Sequence, residues 1–238
     1  MSEAVLSPIT LSRPARAPSA RAAFWRGGLT AMLYLTGGLP LVFGLAFLLS
    51  RLPYHIDLFE SPVLGMALFV GVTAGGGWLW GRSLARLTGR PEVNALAWTT
   101  AGTFLAVVFS AAFALGQLEV FLIEERGAGN APVSLIFAAL FTLSSFCVTA
   151  GVGAALGLAL RDGALALDLA WRGGLAGAAA FLAADVSQHL LGRVVGGPNA
   201  EATFTMISVM LIGHAAAALA GGGVIAARIW TRSAAVPQ

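Results

Sequence analysis

The chain has 238 residues, of which 58% are apolar and 11% charged, with a mean hydropathy of +0.83 and a formal net charge of +3. So few charges cannot clothe a water-soluble domain of this length, and lipid must supply the missing surface contact. All 14 cations are arginine and they gather at loop positions rather than on one basic face, which sets nucleic-acid binding aside.

In chain order, residues 1–24 are rich in Ser, Pro, Ala and Arg and are expected to form a disordered tail. The 24 uncharged residues between Arg26 and Arg51 suit a first span over 27–50, with Gly37, Gly38 and Pro40 as a kink within it. This run is long enough to cross a bilayer and no small-residue cleavage pattern follows it, so it reads as a span and not as a cleaved signal. Runs of 21 residues between Glu60 and Arg82, and of 26 between Glu92 and Glu119, give spans over 62–82 and 95–116. A run of 34 over 127–160 provides a fourth span at 132–160 once its helix opens near Pro132. The fifth, 173–192, is apolar except for Asp185, Gln188 and His189; the sixth occupies 203–227, and 231–238 is a second tail. The expected fold is therefore an all-α integral membrane protein, a six-helix bundle over 25–230. Runs this long and uniformly apolar exclude a transmembrane barrel.

Arginine sets the expected orientation. Arg13, Arg16, Arg21, Arg26, Arg82, Arg86, Arg90, Arg161, Arg172, Arg228 and Arg232 share one side, against Arg51, Arg126 and Arg193 on the other. Both termini are thus expected in the cytoplasm of a bacterium, with the chain in the plasma (inner) membrane. Cys147 is the only cysteine and lies in an apolar run, so an intramolecular disulfide and a cysteine metal cluster are excluded.

Short echoes point to internal repetition. Trp25-Arg26-Gly27-Gly28-Leu29 opens the first span and Trp171-Arg172-Gly173-Gly174-Leu175 the fifth, with Trp98 opening the third. The even spans carry a second echo, in which Gly75, Gly77 and Gly81, then Gly151, Gly153 and Gly157, then Gly221 and Gly223, form small-residue faces for helix packing. Three two-helix hairpins about a pseudo-threefold axis would produce this pattern, and the axis would offer a pathway. Interfacial Trp anchors and Gly-rich packing faces produce similar echoes without duplication. The three-by-two arrangement is similar to that of the mitochondrial solute carriers, but their Pro-x-Asp/Glu-x-x-Lys/Arg signature is absent, and no membership follows.

The candidate chemistry sits in the fifth and sixth spans. Asp185 and His189 are four residues apart on one helical face, with Gln188 beside them. Asp185 lies about 20 Å along its helix from Arg172, and His214 about 21 Å from Arg228, so antiparallel neighbours bring acid and imidazole to one level. An ionisable group at that depth is a proton-relay or transport candidate; a satisfied interhelical hydrogen-bond clamp is the structural alternative. The repeat-equivalent positions, Ala112 and Ser144, are not ionisable. Hydroxyls at Thr99, Thr100, Thr103, Thr142, Ser144, Ser145 and Thr149 line a wet path or bond their own backbones. No cofactor is expected, a haem ligated by His189 and His214 being the low-ranking alternative. Walker, HExxH, GxSxG and CxxC motifs are absent, so an enzyme is disfavoured. The expected function is a small transporter or channel, coupled to protons through Asp185. The alternative is a non-catalytic subunit of a larger membrane complex, and a homo-oligomer fits either.

Overall fold

A computed structural model describes residues 19–38, 48, 62–89, 92–120, 133–195 and 209–234. The tail over 1–18 and most of the second half of the first expected span lie outside the described residues. Within them the chain is all α. Helix α1 (Ala20–Ala31) runs into a π turn over Met32–Thr36, and α2 (Pro62–Thr88), α3 (Val93–Val120), α4 (Val133–Ala159) and α5 (Gly163–Val195) follow. A second π turn over Val209–Gly213 leads into α6 (His214–Ala234). Among the described residues, five helices are long and apolar enough to cross a membrane, the five from α2 to α6.

Local chemistry explains the boundaries, three of which differ from expectation. Helix α1 starts at Ala20 because the Ser19 hydroxyl accepts the Ala22 N–H at 3.2 Å, an N-cap that pulls the helix into the expected tail. Helix α5 starts at Gly163, ten residues before the expected span, because Asp162 caps it by accepting the Leu165 N–H at 2.9 Å. The charged turn of α5 then stays helical because Asp168 holds both Arg172 and Arg228, at 2.6 and 2.7 Å. Helix α6 likewise runs to Ala234, past the expected end of the span. Between α4 and α5, Arg161 takes a left-handed φ of 56° while Asp162 N–H bonds Gly157 O and Arg161 N–H bonds Leu158 O, the paired bonds of a Schellman closure.

Six helices close into a ring in chain order, and α6 also reaches α2 and α4 across it. The closest pairs are α2 with α3, α4 with α5 and α6 with α1, and not the expected hairpins α1/α2, α3/α4 and α5/α6. The reason is one antiparallel small-residue contact that recurs at each of the three closest pairs. A Cβ at Gly77 would meet Ala101 Cα at 2.9 Å, and one at Gly81 would meet Ala97 Cα at 2.8 Å. In the next pair Gly153 lies against the backbone of Leu169 and Ala170, and Gly157 against Ala166. In the third, Gly222 lies against Ala31, and Gly27 against Ala226. Absent side chains let the backbones approach, and close packing replaces the hydrophobic drive that lipid removes.

Of the other expected packing glycines, Gly151 meets Val107, Gly221 meets Thr149 and Gly223 meets the Phe24 ring. A Cβ at Gly75 would find nothing within 4 Å among the described residues. The Trp echoes are also out of step with these contacts: Trp25 precedes Gly27, whereas Trp171 lies beyond both Ala166 and Ala170.

All these contacts sit at the end carrying Arg26, Arg82, Arg161, Arg172 and Arg228, and the core is filled there. Trp80, Leu84, Leu156, Ile225 and Ile229, from α2, α4 and α6, are at most 1% exposed in one contiguous cluster. Trp80 also donates its indole N–H to Gly27 O at 3.2 Å, tying α2 to α1. The large apolar side chains that remain exposed, among them Leu33, Val63, Leu158 and Leu190, suit contact with lipid.

Candidate functional site

The buried stripe of α5 is apolar at Leu165, Leu169 and Phe181, then turns polar at Asp185 and Gln188, which are 4% and 8% exposed. The i, i+4, i+7 spacing of Phe181, Asp185 and Gln188 keeps all three on one face, as the sequence spacing implied. His189 follows in α5, and only its place in the helix is described.

His214 is held by rings. Its imidazole lies edge-on to Phe181, with centroids 5.3 Å apart, and to Phe141 of α4 at 5.9 Å, while Phe141 and Phe181 stack at 6.1 Å. The cluster joins α4, α5 and α6 at one level. Gly213 lets it form, because a Cβ there would come within 2.6 Å of the Phe181 ring. Gly173 lies against Ile225 and Phe181 against Gly213, so α5 and α6 run antiparallel. One turn beyond Phe181 this register carries Asp185 to the level of the π turn Val209–Gly213. Such turns open the regular hydrogen-bond ladder and recur at functional positions.

Hydroxyl groups on α4 divide into two kinds. Thr149 donates to Ser145 O at 2.6 Å, and Thr100 of α3 donates to Leu96 O at the same distance, so both satisfy themselves on their own helix. The side-chain oxygens of Thr142 and Ser145 are buried without a hydrogen-bond partner, and so are both amide atoms of Gln188. Thr142 immediately follows Phe141 of the ring cluster, and Ser145 lies one turn further along the same face of α4. Sequence reasoning singled out Asp185, Gln188 and His214 but missed Phe141 and Phe181, whose apolar rings resemble any other lipid-span residue until the register is known. Among the described residues, no three His, Cys, Asp or Glu side chains gather as a metal site.

At the opposite end, two carboxylates take arginine partners. Asp168 takes Arg172 and Arg228, and Asp162 takes Arg232 at 3.0 Å. The Leu165 N–H first, and Arg232 second, hold the Asp162 carboxyl below its ordinary value. Comparison with family profiles, curated proteins and solved structures finds no match to this chain.

Proposed function

We propose that the chain is a small membrane transporter with six spans whose coupling group is Asp185. The observation that carries the reading is the Gln188 amide, buried one turn from a buried carboxyl group with neither polar atom hydrogen-bonded. A buried, unmet polar atom costs about 1–3 kcal/mol, and Gln188 has two, with two further unmet hydroxyls on α4 at Thr142 and Ser145. Something that makes hydrogen bonds completes this region in use: water, a hydrated cation or a polar solute. A carboxyl group beside it exchanges a proton or balances a cation, which are the usual roles of acids within a membrane.

The packed half supports an alternating mechanism over an open pore, because Trp80, Leu84, Leu156, Ile225 and Ile229 fill the bundle toward the Arg-rich end. In this reading the bundle is closed at that end, and transport requires the small-residue contacts to slide. The recurring contact between even and following odd helices supports three two-helix units, with α1 completing the sixth span. The arginine distribution supports placing that end in the cytoplasm of a bacterial inner membrane.

The test is proton flux in vesicles with an entrapped pH dye, comparing wild type with Asp185→Asn. Flux is expected to fall by about tenfold or more while the variant still elutes as a folded species. Equal flux in both proteins, or flux no greater than in protein-free vesicles alongside stoichiometric partners from native membranes, returns the chain to the reading as a non-catalytic complex subunit.

A further inference from the structure

We infer that the groove between α1 and α5, floored by α6, binds an anionic phospholipid. The groove is lined by the apolar side chains of Phe24, Leu175, Val224 and Ala227 and by the two cations Arg172 and Arg228. The groove has a volume of about 380 Å³. Its composition is that of a lipid in miniature, with an apolar trough for the chain and a cationic rim for the headgroup.

Charge favours an anion. Arg172 and Arg228 share one carboxylate, Asp168, so the trio carries one net positive charge. Both engage Asp168 through Nε, one donor of the five on each guanidinium. Their side chains remain 60% and 41% exposed, so the remaining donors are within reach of a ligand. Arg232 is neutralised separately by Asp162 and adds nothing of opposite sign.

Depth favours a lipid over a free phosphate. Trp25 packs edge-on to Phe24 at 5.4 Å, and Trp171 adjoins Arg172 in sequence and packs edge-on to Phe146 at 5.9 Å. Both indoles are exposed and each is followed in sequence by an arginine, and exposed Trp beside basic residues marks the headgroup level of a bilayer. The arginines therefore lie where phospholipid phosphates lie, and Phe24, Leu175 and Val224 lie where acyl chains begin. Basic pockets between helices are recognised lipid-headgroup sites.

The experiment is native mass spectrometry of the full chain in mild detergent, titrated with phosphatidylglycerol or phosphatidylcholine. Wild type should retain phosphatidylglycerol about tenfold more tightly, in keeping with two arginines at the membrane surface. Arg172→Gln with Arg228→Gln should erase that preference. Ala227→Trp, which keeps both charges and fills the floor, should weaken retention to a similar degree. Should the double variant fail to fold, Ala227→Trp decides alone. Equal retention of the two lipids by wild type, or unchanged preference in a folded variant, overturns the proposal. Displacement of phosphatidylglycerol by millimolar inorganic phosphate also overturns it, since that outcome makes the site one for a free anion.

Discussion

Gly75 and Gly81 lie on the same helix, and replacing each with alanine separates packing from propensity. In a helix interior, Gly→Ala gains about 1 kcal/mol from backbone entropy, and this gain is common to both substitutions. At Gly75 nothing among the described residues stands within 4 Å of the new methyl group, so the gain is kept. At Gly81 the methyl group would lie 2.6 Å from Leu96 O, 2.6 Å from Thr100 Oγ1 and 2.8 Å from Ala97 Cα. Two of these are backbone atoms, and the hydroxyl is fixed by its own bond to Leu96 O, so α2 and α3 must separate. Overpacking of this kind costs about 1–3 kcal/mol. The variants should therefore differ by about 2 kcal/mol, with Gly75→Ala the more stable. For a chain of this size that is roughly 4–8 °C in unfolding temperature. Thermal unfolding in mild detergent, followed by tryptophan fluorescence, reads the difference. Indistinguishable midpoints would refute the argument that direct backbone contact joins α2 to α3.

Two further outcomes follow from the same geometry. Trp80→Phe loses the bond to Gly27 O and leaves a gap in a site 1% exposed, so it should destabilise by about 1–3 kcal/mol and remove the most blue-shifted tryptophan emission. Asp162 has a depressed pKa, so its ionised form favours the fold; its contribution is complete above the unfolded-chain value of about 4 and is lost as pH falls through the lower folded value. Asp162→Ala should accordingly unfold at lower temperature than wild type at neutral pH, and the two should converge in acid; curves that stay parallel across that range would show that the carboxylate's charge contributes nothing.

How much was legible in the sequence depended on the range of the interaction involved. Helices α2, α3 and α4 overlap the long uncharged runs of the sequence, α2 extending beyond its run to Thr88, because lipid exposure imposes uniform hydropathy on the whole helix. The start of α5 lies outside its uncharged run, which begins after Arg172, because the helix carries Asp168 inside it with Arg228, sixty positions away, as a partner. Asp185 and Gln188 stood out because polar residues are conspicuous in an apolar run, and burial on a common stripe follows from their spacing. The packing register was only half visible. Gly77-x-x-x-Gly81 and Gly153-x-x-x-Gly157 were apparent, but their partners include alanines, the Ala97/Ala101 and Ala166/Ala170 pairs, which are too common to attract notice. Conversely the conspicuous Trp-Arg-Gly-Gly-Leu echo falls at different levels of the two helices, because indoles follow the bilayer interface and not the helix contact.

The closure of α1 on α6 has a consequence for synthesis. Gly27 and Ala31 emerge before α2 to α6, yet their small-residue partners Gly222 and Ala226 belong to α6. Until α6 is in place that face lacks its small-residue partners, while α2 already reaches α1 through the Trp80 indole on Gly27 O and the following π turn through Gly76 against Tyr34 O. Helix α6 thus acts as a keystone, since a chain interrupted before it leaves the Gly27 and Ala31 face of α1 without its partner helix.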